Sequence, residues 1–241
     1  MIYATATSSP ERVTATPGGE ATCPMCDGVL IPKCGKIVSW HWAHKACDCD
    51  TWGEGESNWH IEWKERFPKE WQECVVSDKY YNQVHRADVM TPSHVVEFQR
   101  SHLPEDEIGE REHFYTKKID HYGNNRDFRK MVWVIDAQDF YRNMTLRYRE
   151  VVSTGGVHSL ICTFRWRWPR KSWWIANHPV YLDFGTQSKD PVDTDGVNHA
   201  TDLLLVEHIY PKLPCGGWGR WVNREDFISR VSKGEPQRIM L

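Results

Sequence analysis

Asp88 and Glu97 are the residues on which chemistry in this chain would turn. They stand in His85-Arg86-Ala87-Asp88-Val89 and Val95-Val96-Glu97-Phe98-Gln99, separated by a Thr91-Pro92-Ser93 turn. Alternation along a strand puts Arg86 and Asp88 on one face, with Ala87 and Val89 on the other. The second strand likewise shows Glu97 and Gln99 on one face and Val96 and Phe98 on the other. A hairpin built this way joins two carboxylates at one end of an apolar ribbon. Such groups repel unless a cation lies between them, and hard oxygen ligands suit Mg²⁺ or Mn²⁺.

Upstream, Glu56, His60 and Lys64 recur every four residues, so a helix carries them on one face. That face could lend Glu56 or His60 to a metal and Lys64 to a phosphate; the competing reading is a solvated charged face. Arg111 and Tyr115 sit one helical turn apart. A phosphate contact for Arg111 competes with an ordinary ion pair to Glu107 or Glu112.

A second group of potential ligands lies earlier. Cys23-Pro-Met-Cys26 precedes His41-Trp-Ala-His44 at short range. A Cys-x2-Cys turn aims two thiolates at one ion, and two histidines would complete a zinc tetrahedron. Cys34, Cys47 and Cys49 are spare donors, any of which could replace a histidine. The alternative is a reduced cysteine cluster beside two core histidines.

The elements that must position these residues follow from periodicity and turn signals. Residues 1–20 read as a flexible Ser/Thr/Pro/Gly lead-in and 21–52 as the cysteine-rich knuckle. Residues 53–150 alternate a helix near 55–73, strands near 74–90 and 94–99, a helix near 105–123 and a strand at Met131–Ile135. Residues 151–241 look β-rich, with a polar loop at 185–200 and a last helix over Arg224–Ser232 capped by Asn223. In that region Phe164, Trp166 and Trp168 alternate with Arg165 and Arg167. This is either a core strand with a basic outer face or a surface that stacks on bases. Gly216-Gly217-Trp218-Gly219-Arg220-Trp221 reads as a gripping loop or a tight turn, and Cys162 and Cys215 as inert core thiols.

Asp88 followed by Glu97-x-Gln99 resembles the Asp…(Asp/Glu)-x-Lys signature of PD-(D/E)XK nucleases, with glutamine at the lysine position. The chain is more closely similar to competence protein CoiA-like nucleases. The likeness runs in order through Cys23/Cys26 with His41-Trp42-Ala43-His44, then Glu56/His60/Lys64 and Arg86/Asp88/Val89. It continues through Glu97-Phe98-Gln99-Arg100-Ser101, Arg111/Tyr115 and Val132-Trp133-Val134-Ile135. It covers residues 20–136 and implies an α+β or α/β restriction-endonuclease-like core, with an N-terminal zinc knuckle and a β-rich C-terminal extension. It also implies Mg²⁺- or Mn²⁺-dependent hydrolysis of DNA, single-stranded or branched. Asp88 and Glu97 would hold the metal with help from Glu56 and the Phe98 carbonyl. Gln99 would orient water, and Lys64 and Arg86 would stabilise the phosphate. The alternative is a catalytically silent, zinc-stabilised DNA-binding protein of the same fold.

Bulk properties bound these readings loosely. The formal net charge of -3 supplies no global field for nucleic acid, so binding would need a local basic patch. Thirteen tryptophans demand a use in a core or on a binding face. No apolar run reads as a signal peptide or a membrane span, so the expected location is the cytoplasm, without a membrane partner.

Overall fold

The computed structural model describes residues 1–37, 39–46, 49–53, 55–78, 82–117, 129–141, 144–152, 158–166, 171–185, 202–210 and 216–234. The chain forms two compact units, one over Met1–Met90 and the other taking most of the rest from Thr91 onward.

In the first unit, β1 (Tyr3–Ala6), β2 (Arg12–Thr14), β3 (Ala21–Thr22), β4 (Val29–Lys33) and β5 (His41–His44) form a sheet in the order β2-β1-β3-β4-β5. Its core is small: Met1, Ala4, Ala15, Ala21, Cys23, Leu30 and Trp42. Three of those seven side chains are single methyl groups, so hydrophobic burial alone supports this sheet weakly. The helix α1 follows over Asn58–Lys64, with the Ser57 hydroxyl accepting from the His60 amide. Sequence periodicity predicts this helix through residue 73. It stops at Lys64 because Pro68 cannot continue an α-helical ladder, and a short 3₁₀ turn occupies Lys69–Trp71. The antiparallel pair β6 (Gln72–Asp78) and β7 (Gln83–Met90) completes the unit. On β7, Ala87 and Val89 are wholly buried while Arg86 and Asp88 are partly open, which is the expected alternation.

The second unit runs β8 (His94–Gln99), α2 (Glu105–Thr116), β9 (Lys130–Asp136), α3 (Gln138–Tyr141), β10 (Met144–Val152), β11 (His158–Trp166), β12 (Val180–Asp183), β13 (Asp202–Tyr210), β14 (Gly216–Asn223) and α4 (Arg224–Lys233). Its strands lie in the order β10-β11-β14-β13-β12-β9-β8. β8, β9 and β12 are mutually parallel. Parallel strands are covered on both faces, and all six residues of β8 are buried accordingly. One cover is α2, whose Glu112 accepts a 3.0 Å bond from Trp133 Nε1. The other is α4, whose Phe227 ring lies 4.6 Å from that of Tyr181. Asn223 caps α4 by accepting from the Glu225 and Asp226 amides, and Gly234 closes it at φ +77°.

Two expectations for the C-terminal region change. The glycine-rich segment is neither a loop nor a turn but the strand β14. Added Cβ atoms at Gly217 and Gly219 would meet the His208 and Leu205 carbonyl oxygens at 2.0 and 2.1 Å, so the close strand approach excludes side chains there. Phe164 is buried and Arg165 exposed, which favours a core strand with a basic outer face. Trp168, Arg167, Cys215 and most of the polar loop at 185–200 lie outside the described residues. No helix among the described residues is long and apolar enough to cross a membrane.

Candidate functional site

Lys64 is the hub of the first unit. Its ammonium, on a residue 1% exposed, lies 2.9 Å from Glu56, 3.0 Å from Glu73 and 3.0 Å from Asp88. The β6–β7 register puts Glu73 opposite Asp88, since Gln72↔Val89 and Cys74↔Ala87 flank that position. Carboxylates facing each other across strands repel, and the ammonium is what holds them together. Burial alone would lower the pKa of Lys64, but Asp88, Glu56 and Glu73 outweigh it and raise it well above its ordinary value. Burial likewise opposes ionisation of Glu56, yet Lys64 holds that carboxyl below its usual range. Arg86 repeats the pattern: burial works against its charge and is overcome by Glu73, Glu56, Asp50 and Asp88.

The side chains differ in access. Those of Glu56 and Glu73 are 4% and 1% exposed, whereas that of Asp88 is 20% exposed. Asp88 is the open member. Two buried atoms, Glu56 Oε2 and Arg86 Nη1, have no hydrogen-bond partner among the described residues. A buried polar atom in that state costs roughly 1–3 kcal/mol, and more when charged, unless something else satisfies it. His60 is buried and held by the Ser57 hydroxyl at 2.8 Å, so it locks the start of α1.

Glu73 is the member that sequence pattern misses. It takes φ +50°, a left-handed backbone that costs a non-glycine residue on the order of 1 kcal/mol or more. Its carboxylate accepts from the Ile2 and Tyr3 amides at 2.8–3.0 Å as well as from Lys64. No spacing rule signals this, because Ile2 and Tyr3 lie 71 and 70 positions away and Lys64 lies 9 away on another element.

In the second unit Glu97 is 4% exposed and Gln99 1% exposed. Arg111 reaches Glu97 at 3.4 Å and also donates to Glu107. The guanidinium that the sequence offers to phosphate is therefore engaged by carboxylates, Glu107 among them as the competing reading foresees. Gln99 donates to the Ser101 hydroxyl at 3.1 Å. Tyr115 is buried against Phe114, edge to face at 5.2 Å.

The metal-ligating cluster is Cys23, Cys26, His44 and Cys49, whose donor atoms all lie within 4.8 Å of one another. A tetrahedral zinc with Zn–S bonds of about 2.3 Å separates its sulfurs by about 3.8 Å. Cys23 and Cys49 Sγ are 3.6 Å apart, and Cys26 Sγ lies 3.4 Å from His44 Nε2. The Met25 and Gly28 amides donate to the Cys23 and Cys26 sulfurs. A Cβ at Gly28 would press on the Cys26 sulfur at 3.1 Å, so the glycine leaves room for that sulfur. These four residues could hold a structural zinc ion.

His41 is not among them, contrary to the Cys₂His₂ expectation. His41-Trp-Ala-His44 is a strand, not a loop, and residues three apart on a strand face opposite ways. His44 pairs with Leu30 on the inner side, while His41 pairs with Lys33 and contacts the Ser39 carbonyl. Cys49, one of the spare donors, takes the fourth place. Cys47 lies outside the described residues. Next to Cys49, Asp50 accepts from the Arg86 amide at 3.1 Å and pairs with His85 at 3.0 Å, so the ligand loop braces β7. No protein-family model, curated protein or solved structure matches the chain.

Proposed function

We propose that the chain is a divalent-metal-dependent nuclease that hydrolyses phosphodiester bonds of DNA, with a structural zinc at Cys23, Cys26, His44 and Cys49. The observation that carries the reading is the pair of unsatisfied buried atoms beside the open carboxylate of Asp88. Among the described residues Glu56 Oε2 has no hydrogen-bond donor and Arg86 Nη1 no acceptor. A metal ion together with a phosphate would satisfy both.

The fragments that resemble CoiA-like nucleases fall on α1, β7, β8, α2 and β9, in the order helix, strand, strand, helix, strand. A bound Mg²⁺ or Mn²⁺ would acidify a coordinated water and neutralise charge gathering on the scissile phosphate. The resemblance assigns Asp88 and Glu97 as the residues that would hold it, with help from Glu56. Lys64, already against Asp88, supplies the positive charge that Gln99 lacks, and Arg86 stabilises the phosphate. Gln99 would orient the attacking water, as the resemblance implies.

Burial of Glu97 against Arg111 favours a second reading, a catalytically silent DNA-binding protein of the same fold. Incubating the protein with end-labelled single- and double-stranded DNA separates the two. Cleavage that requires Mg²⁺ or Mn²⁺ and stops with a chelator is the expected result. Retention of intact DNA under every metal condition would leave only the binding role.

A further inference from the structure

The α4 face of the second unit holds a cavity of about 260 Å³ that the nuclease chemistry does not use. It opens where the parallel strands begin. His94 starts β8, Lys130 starts β9 directly beside it in register, and His178 precedes β12. Tyr181 from β12 and Phe227 and Arg230 from α4 complete the principal lining. His94 and Glu97 are three positions apart on β8, so the cavity and the proposed metal ligand occupy opposite faces of that strand.

Its charge is one-sided. Neither Lys130 nor Arg230 makes an ion pair among the described residues. The carboxylates acting on Tyr181 and His178 are Glu207 and Glu112. Glu207 is engaged by Arg220 at 2.7 Å, and Glu112 accepts from Trp133, Asn177 and His178. Burial first, and the Lys130 ammonium second, lower the pKa of His94, which keeps its imidazole neutral and able to hydrogen-bond. Two cations without an ion-pair partner among the described residues, lining a cavity walled by Tyr181 and Phe227, suit a ligand with an anionic end and a flat apolar end. The volume lies just under the usual range for small-molecule pockets.

We infer that this cavity binds a phosphomonoester on a sugar that also bears a planar base, namely a nucleoside 5′-monophosphate, with the phosphate between Lys130 and Arg230 and the base against Phe227 and Tyr181. The choice of a nucleotide over other phosphomonoesters with a planar ring rests on the nuclease reading, since hydrolysis of a phosphodiester leaves a phosphomonoester on one of its nucleotide products. Calorimetry on the full chain with zinc retained and no Mg²⁺ present tests it, using deoxycytidine 5′-monophosphate, deoxycytidine and inorganic phosphate as separate probes. The monophosphate should bind at least roughly ten-fold more tightly than either fragment, because each supplies only one end of the recognition. Lys130→Gln and Arg230→Gln should each weaken it by a similar factor, and Asp88→Ala should leave it unchanged. Equal binding of inorganic phosphate, or no effect of the two glutamine variants, overturns the assignment. DNA cleavage by wild type with no monophosphate binding would refute the cavity while leaving the nuclease reading intact. Monophosphate binding without any cleavage would do the reverse.

Discussion

Replacing Lys64 with methionine should remove roughly 3–5 kcal/mol of stability, a large part of what a domain of this size possesses. Methionine fills similar space, so little of the loss comes from packing. What remains is Glu56, Glu73 and Asp88 converging on a buried point without the ammonium that all three share. Arg86 is the remaining side-chain cation acting on all three. Urea unfolding followed by tryptophan fluorescence measures the loss, and a change below about 1 kcal/mol would show that the ammonium is not the hub. Adding Glu56→Gln and Glu73→Gln to Lys64→Met should recover most of the deficit, because the cost lies in stranded charge rather than in absent bonds. The same coupling sets the acid limit. The folded-state pKa of Glu56 and of Glu73 lies below the ordinary value of 4.5. Their contribution is therefore complete above pH 4.5 and is lost as pH falls through the depressed values. In the Lys64→Met, Glu56→Gln, Glu73→Gln variant this part of the acid dependence should disappear.

Stripping zinc should unfold the β1–β5 sheet. Its core of Met1, three alanines, Cys23, Leu30 and Trp42 buries too little apolar surface to organise five short strands, whereas structural zinc sites contribute apparent binding energies on the order of 10 kcal/mol to folding. Elemental analysis should give one zinc per chain. Chelation or Cys23→Ser should lower the melting temperature and red-shift the emission of Trp42, which is buried and donates to the Val13 carbonyl. Cys49→Ser should do the same and also loosen Asp50 from His85 and Arg86. His41→Ala should keep its zinc. Full zinc content in Cys49→Ser combined with loss in His41→Ala would restore the Cys₂His₂ set and reject the arrangement described above. An unchanged melting curve after complete chelation would reject a structural role for the metal.

What was legible in the sequence was whatever local pattern controls. β8 has its expected bounds, because an apolar run between a Thr-Pro-Ser turn and a polar segment leaves little room for error. α4 likewise begins at its Asn223 cap. The helix α1 is shorter than its periodicity suggests because Pro68 outweighs the pattern. The glycine run of β14 reads as a turn until the neighbouring carbonyls that exclude side chains are known. Within the metal cluster the Cys-x2-Cys turn was evident, but choosing between His41 and Cys49 required knowing that His41–His44 is a strand. Glu56, Lys64, Arg86 and Asp88 were all visible as candidates. Glu73, which completes their ion network, was not, since its partnership depends on tertiary contacts with β1 and α1.

The most direct measurement compares Mg²⁺-dependent cleavage of labelled DNA by wild type, Asp88→Ala and Glu97→Ala at matched fold and zinc content. With Mn²⁺ binding followed by electron paramagnetic resonance, the account predicts that wild type binds the ion and cuts DNA. Each variant should lose at least about a hundred-fold in rate and most of its Mn²⁺ affinity. Variants that cut as fast as wild type and bind Mn²⁺ equally well would contradict it.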